Sequence, residues 1–163
     1  HTRLQGDWSS DVCSSDLELR TNERDAWPLE VAARTIGGDC ARLLRFGRGG
    51  LEDVVLCAAV GLPMPALEMS GALGVLMIPT PRPGVLRRVE GVLAASSLPC
   101  IEEVVMSARA GQELVPLPEG ASYLGFVFAR GDTPSEVERA LRAAHNALRI
   151  VVAASMPVEL ATA

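Results

Sequence analysis

The chain has 163 residues, a formal net charge of −5 and 48% apolar residues, so it can bury a core but offers no basic surface for nucleic acid. No apolar run approaches the roughly 18 residues that a bilayer span requires, and the amino end lacks the apolar stretch of a signal peptide. Its four cysteines show no C-x-x-C pairing, which argues against a zinc site or a disulfide framework and for reduced, packed thiols in a cytoplasmic protein.

Residues 1–17, H-T-R-L-Q-G-D-W-S-S-D-V-C-S-S-D-L, resemble a translated sequencing-library adapter rather than protein sequence. No function is expected of His1, Trp8 or Cys13, and the segment is expected to be artefactual or disordered.

Glu18-Leu19-Arg20 reads as a strand, and the polar stretch from Asn22 to Asp25 as a turn. Trp27 to Val31 then reads as the partner strand of a hairpin that sets Glu18 and Glu30 near each other on one face. Two carboxylates at that distance repel unless a proton or a cation lies between them. Magnesium suits such a place, because it prefers oxygen ligands and shares its shell with substrate phosphates. Two acids on the wet face of an ordinary hairpin are the plainer alternative. Arg34 follows four residues after Glu30, then Gly37, Gly38 and Asp39. A planar guanidinium there can meet a carboxylate or phosphate in bidentate fashion, or simply lie over the sheet end. The two glycines form a tight turn into a helix expected to be capped by Asp39, where backbone N–H groups could approach an anion.

The pattern E-L-R, turn, W-P-L-E-V-A-A-R-x-x-G-G resembles the end of the catalytic domain of ATP-grasp carboxylate–amine ligases, and within them the L-amino-acid ligase branch. In most of that superfamily the last strand reads E-V-N-P-R, with Glu and Asn both holding magnesium. Ala32 and Ala33 stand in the Asn and Pro places here, so one expected ligand is missing. The resemblance implies that Glu18 and Glu30 hold Mg²⁺ (with Mn²⁺ as a substitute). It also implies that Arg34 faces the substrate carboxylate or acyl phosphate and acts in catalysis, and that Arg34, Gly37 and Gly38 contribute to ATP binding. Substrates would be a small carboxylate and an amine, with a homodimer compatible and neither nucleic acid nor membrane involved. All 15 basic residues are arginine. The family grips its nucleotide with lysines in preceding subdomains, so the chain is expected to be the carboxyl-terminal fragment of a longer, cytoplasmic enzyme.

Beyond the motif, a helix is expected from Asp39 to Phe46 and another from Leu51 to Val60, where Leu51, Val54, Val55 and Ala58 recur at helical spacing. Pro63 to Gly71 is the expected domain boundary, so that 18–62 closes the catalytic domain and 72–152 forms a second one. There, Leu73 to Ile78 reads as a buried strand, Val89 to Ala95 as a helix, Ile101 to Arg109 and Tyr123 to Ala129 as strands. Thr133-Pro134-Ser135-Glu136 combines an N-cap, a proline at the first helical position and a capping-box acid. The helix that follows presents Val137, Ala140, Leu141, Ala144 and Leu148 inward. Leu148 to Val152 is a last strand, and 153–163 a tail. The expected fold is therefore α+β: a β-hairpin with helices, then a small ferredoxin-like βαββαβ domain.

His145, Arg82, the pair Glu102-Glu103 and the cysteines lack partners placed for chemistry in the sequence and are read as structural. Two other functions are open at this point. One is a carboxylase-type ATP-grasp enzyme acting on bicarbonate and biotin; the other is a non-enzymatic α+β module that binds a small molecule.

Overall fold

The computed structural model describes residues 4–5, 16–32, 34–37, 39–46, 49–66, 70–120 and 122–155. The chain divides into two compact units, His1–Met69 and Ser70–Ala163.

In the first unit, β1 (Leu4–Gln5), β2 (Asp16–Thr21) and β3 (Ala26–Ala32) form an antiparallel sheet in the order β1-β2-β3. The hairpin between β2 and β3 is set by Asn22, whose side-chain oxygen accepts the backbone N–H groups of Arg24 (2.8 Å) and Asp25 (2.9 Å). An asparagine that bonds its own following backbone closes a turn without help from the rest of the fold. The expected helix after Asp39 is instead a single 3-10 turn, Cys40–Leu43. Asp39 is left-handed at φ 56° and its side chain caps nothing; it pairs with Arg42 at 3.9 Å instead. The helix α1 (Leu51–Ala59) forms as its spacing predicts, with the Asp53 carboxylate accepting the Gly50 N–H at 2.8 Å. Among the described residues of this unit, Leu43, Phe46 and Leu51 are buried.

The second unit holds β4 (Ala72–Ile78), β5 (Gly84–Glu90), α2 (Val92–Ser96), β6 (Ile101–Met106), β7 (Glu113–Leu114), β8 (Gly125–Gly131), α3 (Pro134–Ala147) and β9 (Arg149–Ala153). Two antiparallel three-stranded sheets result, β4-β8-β6 and β7-β5-β9. The first has the strand order of the split arrangement expected from the sequence. The last strand departs from it, pairing with β5, a strand that the sequence pattern hides. Residues 84–90 do not alternate cleanly, because Arg87 is an extra residue where the register slips between Leu86 and Arg88. The helix read from Val89 is accordingly confined to Val92–Ser96. Gly91 makes the strand-to-helix corner at φ 84°, with the Ala147 carbonyl so close that no Cβ fits. β7 likewise lies within a stretch read as a plain connection.

The capping signal of α3 is realised: the Thr133 hydroxyl accepts the Glu136 N–H at 3.3 Å, and Glu136 reaches back to the Asp132 N–H at 3.0 Å. Every strand and helix of the unit except β6 sends a residue into one core, made of Ile78, Leu86, Ala95, Leu114, Leu124, Val127, Ala144 and Val152. Ile101, Val104 and Met106 of β6 pack against it. Burial of this apolar surface is the main term holding the layers together. The Arg82 guanidinium, between its two prolines, donates to the Val152 carbonyl and ties the loop to β9, which supports the structural reading.

Candidate functional site

The hairpin of the first unit places Glu18 and Glu30 as direct cross-strand partners. Opposite residues of an antiparallel pair share one face, with Cβ atoms about 4.5–5.5 Å apart. The register slips immediately beyond them, between Glu18 and Leu19, so that Leu29 is extra in β3 and Leu19 faces Pro28. A bulge raises the local twist and re-aims side chains, and Pro28 has no N–H to lose from the ladder. Glu18 is half-buried and Glu30 exposed. The pairing holds two carboxylates side by side at a solvent-facing position. Among the described residues no group of three or more His, Cys, Asp or Glu side chains converges.

Arg34 leaves the end of β3 exposed to solvent. Its Nη1 donates to the Thr35 carbonyl at 3.1 Å, and a Cβ built on Gly37 would sit 3.4 Å from that nitrogen. The guanidinium is thus folded over Gly37, where a Cβ would make only ordinary contact with it. Gly38 lies outside the described residues. With the expected helix reduced to a 3-10 turn, no α-helix terminus follows Gly37 directly among the described residues.

Beside this segment runs a groove of about 310 Å³ lined by Thr35, Ala41, Leu51, Glu52, Val55 and Leu56. The sequence pattern sets Leu51 and Val55 on the apolar face of a helix and does not reveal the groove. Their helical spacing was the one signal, and it marks an apolar face without saying what lies opposite. Around the hairpin, Trp27, Leu29 and Val31 are 46%, 64% and 66% exposed, an unusual amount of apolar surface for one strand.

In the second unit the ionisable groups serve the fold. The Asp132 N–H and the Cys100 thiol, both donating to Glu136, hold its carboxyl below the usual carboxylate range. Burial, then the Glu136 contact, pushes the Cys100 thiol up, the opposite of what a nucleophilic cysteine needs. Cys40, Cys57 and Cys100 form no disulfide. Glu102 pairs with Arg130 at 2.6 Å across β6 and β8. Among the described residues no helix is long and apolar enough to cross a membrane.

Residues 76–153 match the family model for L-amino acid ligase C-terminal domain 2. An L-amino acid ligase from Bacillus licheniformis has the same fold, with a TM-score of 0.64 and 22% identity over 85% of this chain and 36% of that one. A phosphoribosylglycinamide synthetase from Anaerococcus prevotii is similar at a TM-score of 0.67 and 13% identity, over 85% of this chain and 37% of its own. No curated protein sequence matches significantly. The chain spans little more than a third of the length of either solved protein. Together these findings bear out the α+β fold expected from the order of elements along the chain.

Proposed function

We propose that this chain is the carboxyl-terminal part of a cytoplasmic ATP-grasp ligase that joins the carboxylate of an amino acid to an amine. The observation that carries this reading is the register of β2 and β3, which sets Glu18 opposite Glu30 within the motif that resembles the family's metal strand. In this reading the two carboxylates hold Mg²⁺, or Mn²⁺, and Arg34 orients the anionic end of the substrate. An ion held there would supply charge neutralisation for phosphoryl transfer. A substrate carboxylate oxygen attacks the γ-phosphorus as the bond to ADP breaks, giving an acyl phosphate. The amine nitrogen then attacks the acyl carbon, phosphate leaves, and the nitrogen gives up a proton. The planar guanidinium of Arg34 presents its N–H donors in a fixed fork, a shape suited to either the carboxylate or the acyl phosphate. Ala32, in the place of the usual asparagine ligand, has no side-chain donor atom to offer a metal.

The exposed apolar residues of β3 and the short share of the relatives' length agree with a chain that works as part of a larger catalytic domain. The family match over residues 76–153 favours amino acids over the bicarbonate of a carboxylase. The test is ADP release by the full-length parent against a panel of amino acids. Amino-acid-dependent release is expected, with none from the 163-residue chain alone. Stimulation by bicarbonate in place of amino acids overturns it in favour of the carboxylase. No ATP turnover under any condition leaves the binding-module reading.

A further inference from the structure

We infer that a second copy of this chain pairs along β4, extending the sheet β4-β8-β6 across a two-fold axis at Val75. This inference is independent of the ligase reading. An open strand edge presents unpaired N–H and C=O groups, and natural proteins guard such edges with charge, proline, bulges or shortness. Three of the four sheet edges in the second unit are guarded in this way. β6 carries exposed Glu102 and Glu103 and a register slip between Ile101 and Glu103. β7 is 2 residues long. β9 begins at Arg149, and its Val152 carbonyl is taken by Arg82.

β4 has none of these devices. Its 7 residues, A-L-G-V-L-M-I, contain no charge and no proline. Its register with β8 runs unbroken from Ala72↔Gly131 to Ile78↔Gly125. Among the described residues it pairs with β8 alone. The Ile78 carbonyl accepts the Leu124 N–H at 2.9 Å, on the β8 side. Alternation along a strand then turns the N–H and C=O groups of Leu73, Val75 and Met77 to the open edge.

A second copy suits that edge, because the strand is complementary to itself. Antiparallel pairing about Val75 sets Leu73 against the partner's Met77, Val75 against the partner's Val75, and Met77 against the partner's Leu73. These are hydrogen-bonded pairs, each exchanging two bonds. On the other face, Gly74 meets the partner's Leu76, small against large. No like charges meet anywhere in this register, so nothing opposes it.

The experiment is hydrogen exchange with sedimentation on the 163-residue chain across a concentration series. The expected mass rises to twice the 17.2 kDa of the chain, and the amides of Leu73, Val75 and Met77 slow as it does so. Val75→Pro removes one outward N–H while leaving the bonds to β8 in place, a position where a strand tolerates proline. It is expected to remain at 17.2 kDa at concentrations where the parent is dimeric. If Val75→Pro loses its far-UV signal, Val75→Lys carries the same expectation. Wild-type chain that stays monomeric at hundreds of micromolar overturns the inference. So does a dimer that persists undiminished in the folded variant, which would assign association to the exposed apolar residues of the first unit.

Discussion

Replacing Gly74 by alanine tests how closely β4 approaches α3. A Cβ built on Gly74 lies 2.6 Å from Val137 Cγ1 and 2.8 Å from Leu141 Cδ1. Carbon atoms prefer about 3.5–4.0 Å, so the overlap is close to 1 Å at both contacts. Leu141 can swing its terminal methyl aside, but Val137 is β-branched and 3% exposed, with one strongly preferred rotamer in a helix. The strand or the helix must therefore shift, at a cost of about 1–3 kcal/mol. Val137→Ala alone removes two buried methyl groups, a loss of about 1.6 kcal/mol in transfer free energy before any cavity term. In the double variant the new methyl occupies part of the space vacated. Its destabilisation should fall short of the sum of the singles by about 1 kcal/mol or more, as coupled neighbours do. Urea unfolding by far-UV circular dichroism measures this, with amide exchange in α3 and β8 assigning the transition to the second unit. Strict additivity, or a Gly74→Ala variant as stable as the parent, refutes the close approach.

Three further predictions concern the second unit. Thr133→Ala removes the acceptor of the Glu136 N–H and should cost about 1 kcal/mol in urea unfolding, with Thr133→Ser restoring most of it. Glu136 has its carboxyl held low in the folded state, so its contribution is present above the unfolded pKa of about 4.3 and is lost as pH falls through the lower folded value. Glu136→Gln should therefore flatten the acid limb of stability between roughly pH 5 and pH 3; an unchanged slope there contradicts the assignment. Leu86→Ala, at a side chain 1% exposed where β5 meets the core, should cost about 2–5 kcal/mol. A loss under 1 kcal/mol would mean that β5 is not held where the pairing with β9 puts it.

Much of the site was legible because its geometry is local. Asn22 closes the turn with its own side chain, and the strands on either side then have little choice of partner, so Glu18 meets Glu30. The helix α3 was equally legible, since Thr133, Pro134 and Glu136 write its start within four residues. What stayed hidden depends on distant partners. β5 holds its place through pairing with β9 some 60 residues on, and its bulge at Arg87 breaks the alternation that would announce it. Asp39 looks like a cap by residue type, yet its left-handed backbone ends that possibility, and nothing in the neighbouring sequence announces the conformation. The 2-residue β7 is too short to have a pattern at all.

The central claim is that the two facing carboxylates hold the magnesium on which ATP turnover depends. Its most direct measurement is the Mg²⁺ dependence of ADP release by the full-length parent carrying Glu18→Gln or Glu30→Gln. Each variant is expected to keep its fold by circular dichroism, to need far more Mg²⁺ for half-maximal rate and to turn over at least tenfold more slowly. Folded variants with an unaltered Mg²⁺ requirement and rate would contradict the account, and would leave Glu18 and Glu30 as ordinary acids on a solvated hairpin.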